Sequence, residues 1–259
     1  MATPKAMVLR TAGTNCDRET LYALQLAGFE AERVHVLRVM EQPARLDAVQ
    51  FLVIPGGFSY GDDVAAGKIL ANQMLHHLTE PLSRFVEADK LVLGICNGFQ
   101  VLLKSGLLPW GRVDAAAAGR DATLGWNDCG QFVDRWVHLR AGSDKCVFVR
   151  FGDVIDLPIA HGEGKFIPRD ESVAAALRDG DQVALRYCGA DGTVGADGAN
   201  PNGSIDDVAA LCDPSGRVMG LMPHPERFVT RTQHPTWTRG DGESVDGVKI
   251  FQRALQALA

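Results

Sequence analysis

Cys96 closes a short apolar run and opens a helical pattern, in Leu93-Gly94-Ile95-Cys96-Asn97-Gly98. Gly-x-Cys-x-Gly is the thiol form of the Gly-x-Ser-x-Gly nucleophile elbow. Its glycines permit a sharp strand-to-helix turn. The helix N-terminus favours thiolate over thiol and aims backbone N–H groups at a developing oxyanion. A buried structural cysteine after a strand would carry the same residues, so the pentapeptide alone leaves both readings open.

A thiolate nucleophile needs a proton carrier, and a histidine carrier needs an orienting carboxylate. His224 lies in Met222-Pro223-His224-Pro225-Glu226, just after an apolar run at 218–222. The prolines favour an extended backbone on both sides. In an extended chain residues two apart face the same way, which predicts that Glu226 holds the His224 imidazole. The other six histidines suit blander places. His76 and His77 read as solvated, His35 and His138 as strand residues, and His234 as part of a polar tail; His161 belongs to the AHGEG motif taken up below. The remaining cysteines, at 16, 129, 146, 188 and 212, read as small free thiols, most of them buried. No two cysteines have the spacing of a zinc or redox motif.

These groups need a scaffold. Apolar runs at 5–10, 31–37, 49–54, 91–95 and 218–222 read as strands. Helical patterns at 17–28, 64–77, 82–88 and 97–105 fall between or after the early strands, and a last one spans 247–258, burying Phe251, Leu255 and Leu258. Alternation of this kind predicts an α/β fold, a mostly parallel sheet with helices on both faces. In such sheets ligands bind beyond the C-terminal strand ends, which marks the turns after Ile54 and Ile95. Runs at 132–139 and 146–151, joined through Ala141-Gly142-Ser143, read instead as an antiparallel hairpin. Residues 152–213 hold 12 acidic and 4 basic side chains and read as a solvated acidic surface of loops around short strands. With no repeat and no low-complexity linker, residues 1–259 are expected to form one domain with an extended C-terminal tail.

Composition narrows the function classes. Lys and Arg number 26 against 32 Asp and Glu, a net charge of −6. That balance argues against nucleic acid or an anionic membrane as partner. No stretch approaches the roughly 18–20 apolar residues of a membrane-spanning helix. The first residues lack a secretory pattern, so free thiols and a cytoplasmic location are expected. The segment 61–69 (GDDVAAGKI) only superficially resembles a phosphate loop. Its glycines are one residue too far apart, Ile69 replaces the magnesium-binding hydroxyl, and two acidic residues lie inside it.

Taken together, 54–62 (IPGGFSYGD), 93–100 (LGICNGFQ), 160–164 (AHGEG), 200–204 (NPNGS) and 222–227 (MPHPER) resemble the class I (triad) glutamine amidotransferases, within them the glutaminase subunits of purine biosynthesis. The motifs occur in family order over nearly the whole chain. The resemblance implies a flavodoxin-like fold with Cys96, His224 and Glu226 as catalytic triad, and backbone N–H groups of Gly57 and Asn97 as oxyanion hole. It implies that Gln100, His161, Gly162 and Glu163 surround the glutamine backbone. It also implies no cofactor in this chain. ATP and magnesium belong with a large synthetase subunit, which receives the ammonia to aminate formylglycinamide ribonucleotide, and a small accessory subunit often joins them. The 200–204 loop is either part of that interface or of the glutamine-site surround. The tail at 229–247 is more similar to the ending of fused, single-chain enzymes, and the insert at 115–128 departs from the family pattern. A start just before the first strand favours a separate subunit. The rival readings are a cysteine peptidase or deglycase-like hydrolase on the same scaffold, a non-catalytic regulatory protein, or the glutaminase component of another amidotransferase.

Overall fold

The computed structural model describes residues 3–114, 118–239 and 244–259. Parts of the expected insert (115–117) and tail (240–243) lie outside the described residues. The N-terminal half runs β1 (Lys5–Arg10), α1 (Asp17–Ala27), β2 (Glu30–His35), α2 (Val36–Glu41), β3 (Phe51–Ile54), α3 (Lys68–His77), α4 (Thr79–Glu87), β4 (Leu91–Ile95) and α5 (Asn97–Lys104). There follow β5 (Ala122–Gly125), β6 (Val133–Ala141), β7 (Val154–His161), β8 (Lys165–Pro168), α6 (Glu171–Asp179), β9 (Val183–Cys188), β10 (Val208–Cys212), β11 (Val218–Leu221) and α7 (Asp246–Gln256).

One sheet of nine strands, among the described residues, has the order β2-β1-β3-β4-β11-β10-β9-β6-β7. The first five strands are parallel to their neighbours. Their order is the 2-1-3-4-5 arrangement of flavodoxin-like sheets. From β11 onward every pairing is antiparallel. β3, β4 and β11 are buried along their whole length, the reason their sequences are continuous apolar runs instead of alternating ones. α1 packs with α7 and α3 with α5, and α5 also rests on β3, β4 and β11. No helix among the described residues is long and apolar enough to cross a membrane.

The structure departs from the sequence expectations in six places. The helix expected over 64–77 begins only at Lys68, because Val64 and Gly67 are left-handed. The strand expected at 31–37 stops at His35, whose imidazole accepts the Leu37 N–H and caps α2. The apolar run 146–151 is not a strand. Cys146, Phe148 and Val149 are buried from a loop, so the run reports burial and not pairing. The partner of β6 is β7, in register from Val133 opposite His161 to Arg140 opposite Val154. The acidic stretch 152–213 is more regular than expected, with β7 at eight residues and α6 capped by the Asp170 carboxylate. Its charges, Asp213 excepted, are at least partly exposed while Ile155, Leu157, Ile159, Val173 and Leu177 are buried, a period the charge count hid. In α7 the buried residues are Ile250, Phe251 and Ala254, while Leu255 and Leu258 are only partly covered.

Candidate active site

Cys96 stands at φ 51°, ψ −106°, between the end of β4 and the first turn of α5. That conformation is costly for a residue with a side chain and persists only where the surroundings over-determine it. Here they do. Cys96 N–H donates to Leu221 O of the neighbouring β11, at 2.7 Å. A Cβ on Gly98 would lie 1.9 Å from Ile54 O, and one on Gly94 2.6 Å from Gly98 O. The two glycines of the frame therefore let α5 sit directly against β3 and β4. The sulfur projects into an open cleft of about 490 Å³. It is 3.9 Å from Ala160 O.

His224 and Glu226 follow β11, the strand beside β4. Their pairing holds, with Nδ1 2.7 Å from Glu226 Oε1 and both side chains buried. The backbone reason differs from the expected extended chain. Residues Pro225–Arg227 form a 3₁₀ turn, Pro225 supplying its first position, and His224 N–H is anchored on Pro158 O at 2.8 Å. Burial by itself would lower the His224 pKa. The charges of Glu226 and Cys96, with contacts from the Cys16 and Cys96 sulfurs, outweigh it and hold the imidazole well above its ordinary value. His224 Nε2 has no hydrogen-bond partner of good geometry. Such bonds often tighten only once substrate is bound.

Gly57 lines the same cleft beyond the end of β3, and Asn97 follows Cys96 as the first residue of α5. Gly57 has φ 134°, and a Cβ there would meet Asn15 N at 2.7 Å. Asn97 is in the first turn of α5, where N–H groups have no intrahelical acceptor. Its side chain ties α5 to the 59–62 turn: Oδ1 accepts from Ser59 N–H, and Nδ2 donates to Asp62 Oδ1 and, within α5, to Gln100 Oε1, the latter two at 2.9 Å. Gln100 Nε2 donates to Glu163 O at 2.8 Å, so as placed it braces the 161–164 turn. His161, Gly162 and Glu163 all line the cleft. The 200–204 loop supports this turn from below, with Asn202 Nδ2 donating to Gly164 O and Ser204 Oγ accepting Phe166 N–H. His234, expected in a polar tail, is buried against Trp136 and Phe228 instead.

Four residues at the site were not singled out from the sequence. Cys16, at the start of α1, lies against the His224 ring, accepts from Arg227 Nη2 at 3.3 Å and donates to Asn15 Oδ1. Burial pushes its pKa up to about 11, so it is a neutral thiol. Asp62 takes the Gly67 N–H at the start of α3, in the segment that mimics a phosphate loop. Arg227 pairs with Glu19. Asn127 donates to Gln131 O and His161 O, which fixes its amide; its Oδ1 then faces His161 Nδ1 at 3.1 Å. His161 therefore carries its proton on Nδ1. Burial, then the neighbouring His224, lower its pKa to about 4. The signal for Cys16 was its place just beyond β1, at the same end of the sheet as the two marked turns.

Residues 3–256 match the CobB/CobQ-like glutamine amidotransferase domain. The chain belongs to this family. Among curated amidotransferase relatives, it is 44% identical over 99% of its length to phosphoribosylformylglycinamidine synthase subunit PurQ of Dehalococcoides mccartyi, covering 98% of that protein. It is 40% identical to the protein of the same name from Rhodospirillum rubrum, covering 95% of this chain and 96% of that one. A chain in the structure of PurLQS from Thermotoga maritima matches over the full length of both, at 32% identity and TM-score 0.75. The glutaminase domain of Trypanosoma brucei CTPS, 11% identical with TM-score 0.58 over 98% of this chain and 93% of that one, shares the amidotransferase fold.

Proposed function

We infer that this chain is the glutaminase subunit of phosphoribosylformylglycinamidine synthase in purine biosynthesis. The whole-length likeness to subunits of that name supports the pathway. The observation that carries the chemistry is the strained Cys96 elbow facing a buried His224–Glu226 pair across one cleft. Cys96 thiolate attacks the side-chain amide carbon of glutamine. N–H groups of Gly57 and Asn97 hold the oxyanion. The His224 imidazolium protonates the leaving nitrogen, then as imidazole takes a proton from the water that hydrolyses the thioester. Glu226 keeps the His224 proton on Nδ1. Gln100 braces the turn of Gly162 and Glu163, whose backbone, with His161, meets the glutamine α-groups.

Ammonia freed into water would be protonated and lost, so the cleft must be covered during transfer. Its rim presents Phe58, Trp126 and Phe132, half to two-thirds exposed, a surface suited to a protein cover. The occupant is the synthetase subunit, the L component by analogy with PurLQS, with the S component as accessory. That subunit holds the ATP, magnesium and formylglycinamide ribonucleotide, and the complex acts in the cytoplasm. The test is a coupled assay of the complex assembled with its synthetase. Glutamine-dependent amination should vanish in Cys96→Ala while ammonia-dependent amination persists. Glutaminase activity surviving that substitution would refute the reading.

A further inference from the structure

Hydrolysis of glutamine uses the imidazole and carboxylate of His224 and Glu226 but assigns nothing to Cys16. Yet Cys16 Sγ, a ring nitrogen of His224 and a carboxylate oxygen of Glu226 all lie within 4.8 Å of one another, and all three side chains are buried. One buried donor atom of the group, Glu226 Oε2, has no hydrogen-bond partner. Gly56 leaves the edge between sulfur and ring uncovered. A Cβ there would stand 3.1 Å from Cys16 Sγ and 3.4 Å from His224 Nδ1. One sulfur, one imidazole and one carboxylate converging in this way form a donor set suited to zinc, and the cleft can supply water as a fourth ligand.

We propose that Cys16, His224 and Glu226 form an inhibitory site for a thiophilic divalent cation of the Zn²⁺ type. The cation takes the place of the proton shared between His224 Nδ1 and Glu226. The Nδ1 proton and the Cys16 thiol proton both leave to solvent as the metal–nitrogen and metal–sulfur bonds form, while Nε2 keeps its own proton. No electron is transferred. An imidazole with metal on Nδ1 and a proton on Nε2 has no lone pair for the Cys96 proton, so the base is disabled while the nucleophile stays free. The inhibitory consequence rests on the glutaminase reading; the binding does not.

The test separates the two. Co²⁺ added to the full-length chain should give a thiolate-to-cobalt charge-transfer band. The band should persist in Cys96→Ala and disappear in Cys16→Ser, a change that keeps a donor and an acceptor for Asn15 and Arg227. With the assembled complex, buffered Zn²⁺ should inhibit glutaminase activity. Cys16→Ser should need at least about tenfold more zinc, the loss that even an outer-shell change produces at metal sites. A band that survives Cys16→Ser, or one lost in Cys96→Ala, overturns the proposal. So does equal zinc sensitivity of the two complexes. A cobalt band as described with no glutaminase activity in the assembled complex would instead refute the functional reading.

Discussion

At the scale of single residues, the site turns on where protons sit. The Glu226 carboxylate, 2.7 Å from Nδ1, holds a His224 proton there. Glu226→Gln removes that bias and the charge. Steady-state assays of the complex should show kcat lower by about 10³–10⁴ with a small change in KM, by the behaviour of an amide in the equivalent place of a triad. An unchanged kcat would mean that Glu226 does not orient the base. His161 is the opposite case. Its pKa falls from 6.5 to about 4, so the unfolded chain binds a proton that the folded chain refuses. Stability is therefore greatest above pH 6.5, declines as pH falls from 6.5 to about 4 and levels off below it, a loss of about 3 kcal/mol in all. Urea titrations at pH 7 and pH 4 should show that His161→Asn loses less stability on acidification than the parent. Equal losses would show that His161 is charged in the fold.

At the scale of elements, the site depends on backbone approach. α5 can meet β3 only because residue 98 has no side chain. Gly98→Ala should cost about 3 kcal/mol, read as a lower urea midpoint, since the clash is with main chain and overpacked cores lose energy of this order. A midpoint equal to the parent's would mean that the elbow is more yielding than its geometry. On the antiparallel side, Asn127 spans the end of β7 with four contacts, to Gln131 O, His161 O, His161 Nδ1 and Gly164 N. Asn127→Ala leaves these groups unpaired at about 1–3 kcal/mol. If the turn it fixes meets the glutamine backbone as proposed, the glutamine KM should rise by more than kcat falls. A loss confined to kcat would place Asn127 in the chemistry instead.

At the scale of the molecule, the cleft sits where two kinds of sheet meet. β1, β3, β4 and β11 contribute the turns beyond their C-terminal ends, and the antiparallel β7 delivers His161 from the other side. Nearby, Val64 is 89% exposed at φ 74°, on the same segment as Asp62 and Ala66 of the cleft wall. An exposed β-branched side chain held in the left-handed region is an outlier, and with the exposed Phe58 of the rim it adds apolar area to the proposed docking edge. Val64→Asp should weaken association with the synthetase about tenfold, roughly 1.4 kcal/mol, as measured by calorimetry, with the circular dichroism spectrum unchanged. Unaltered affinity would move the interface away from this rim.

The sequence alone determined what is local. β4 and its elbow, the His-x-Glu pair, the parallel strands and most helix boundaries are written in apolar periodicity, glycine placement and residue type, all of which act within a few positions. Tertiary structure decided what depends on distant segments. The run 146–151 became a buried loop because β7 competes for β6, and the His–Glu pair became a 3₁₀ turn because Pro158 O anchors His224. Cys16 lies some 80 residues from Cys96 and more than 200 from His224 in the chain. Its only mark in the sequence is its place just beyond β1. Only the parallel order β1-β3-β4-β11 carries the turn after β1 to the same edge as the elbow, and puts a second thiol against the imidazole.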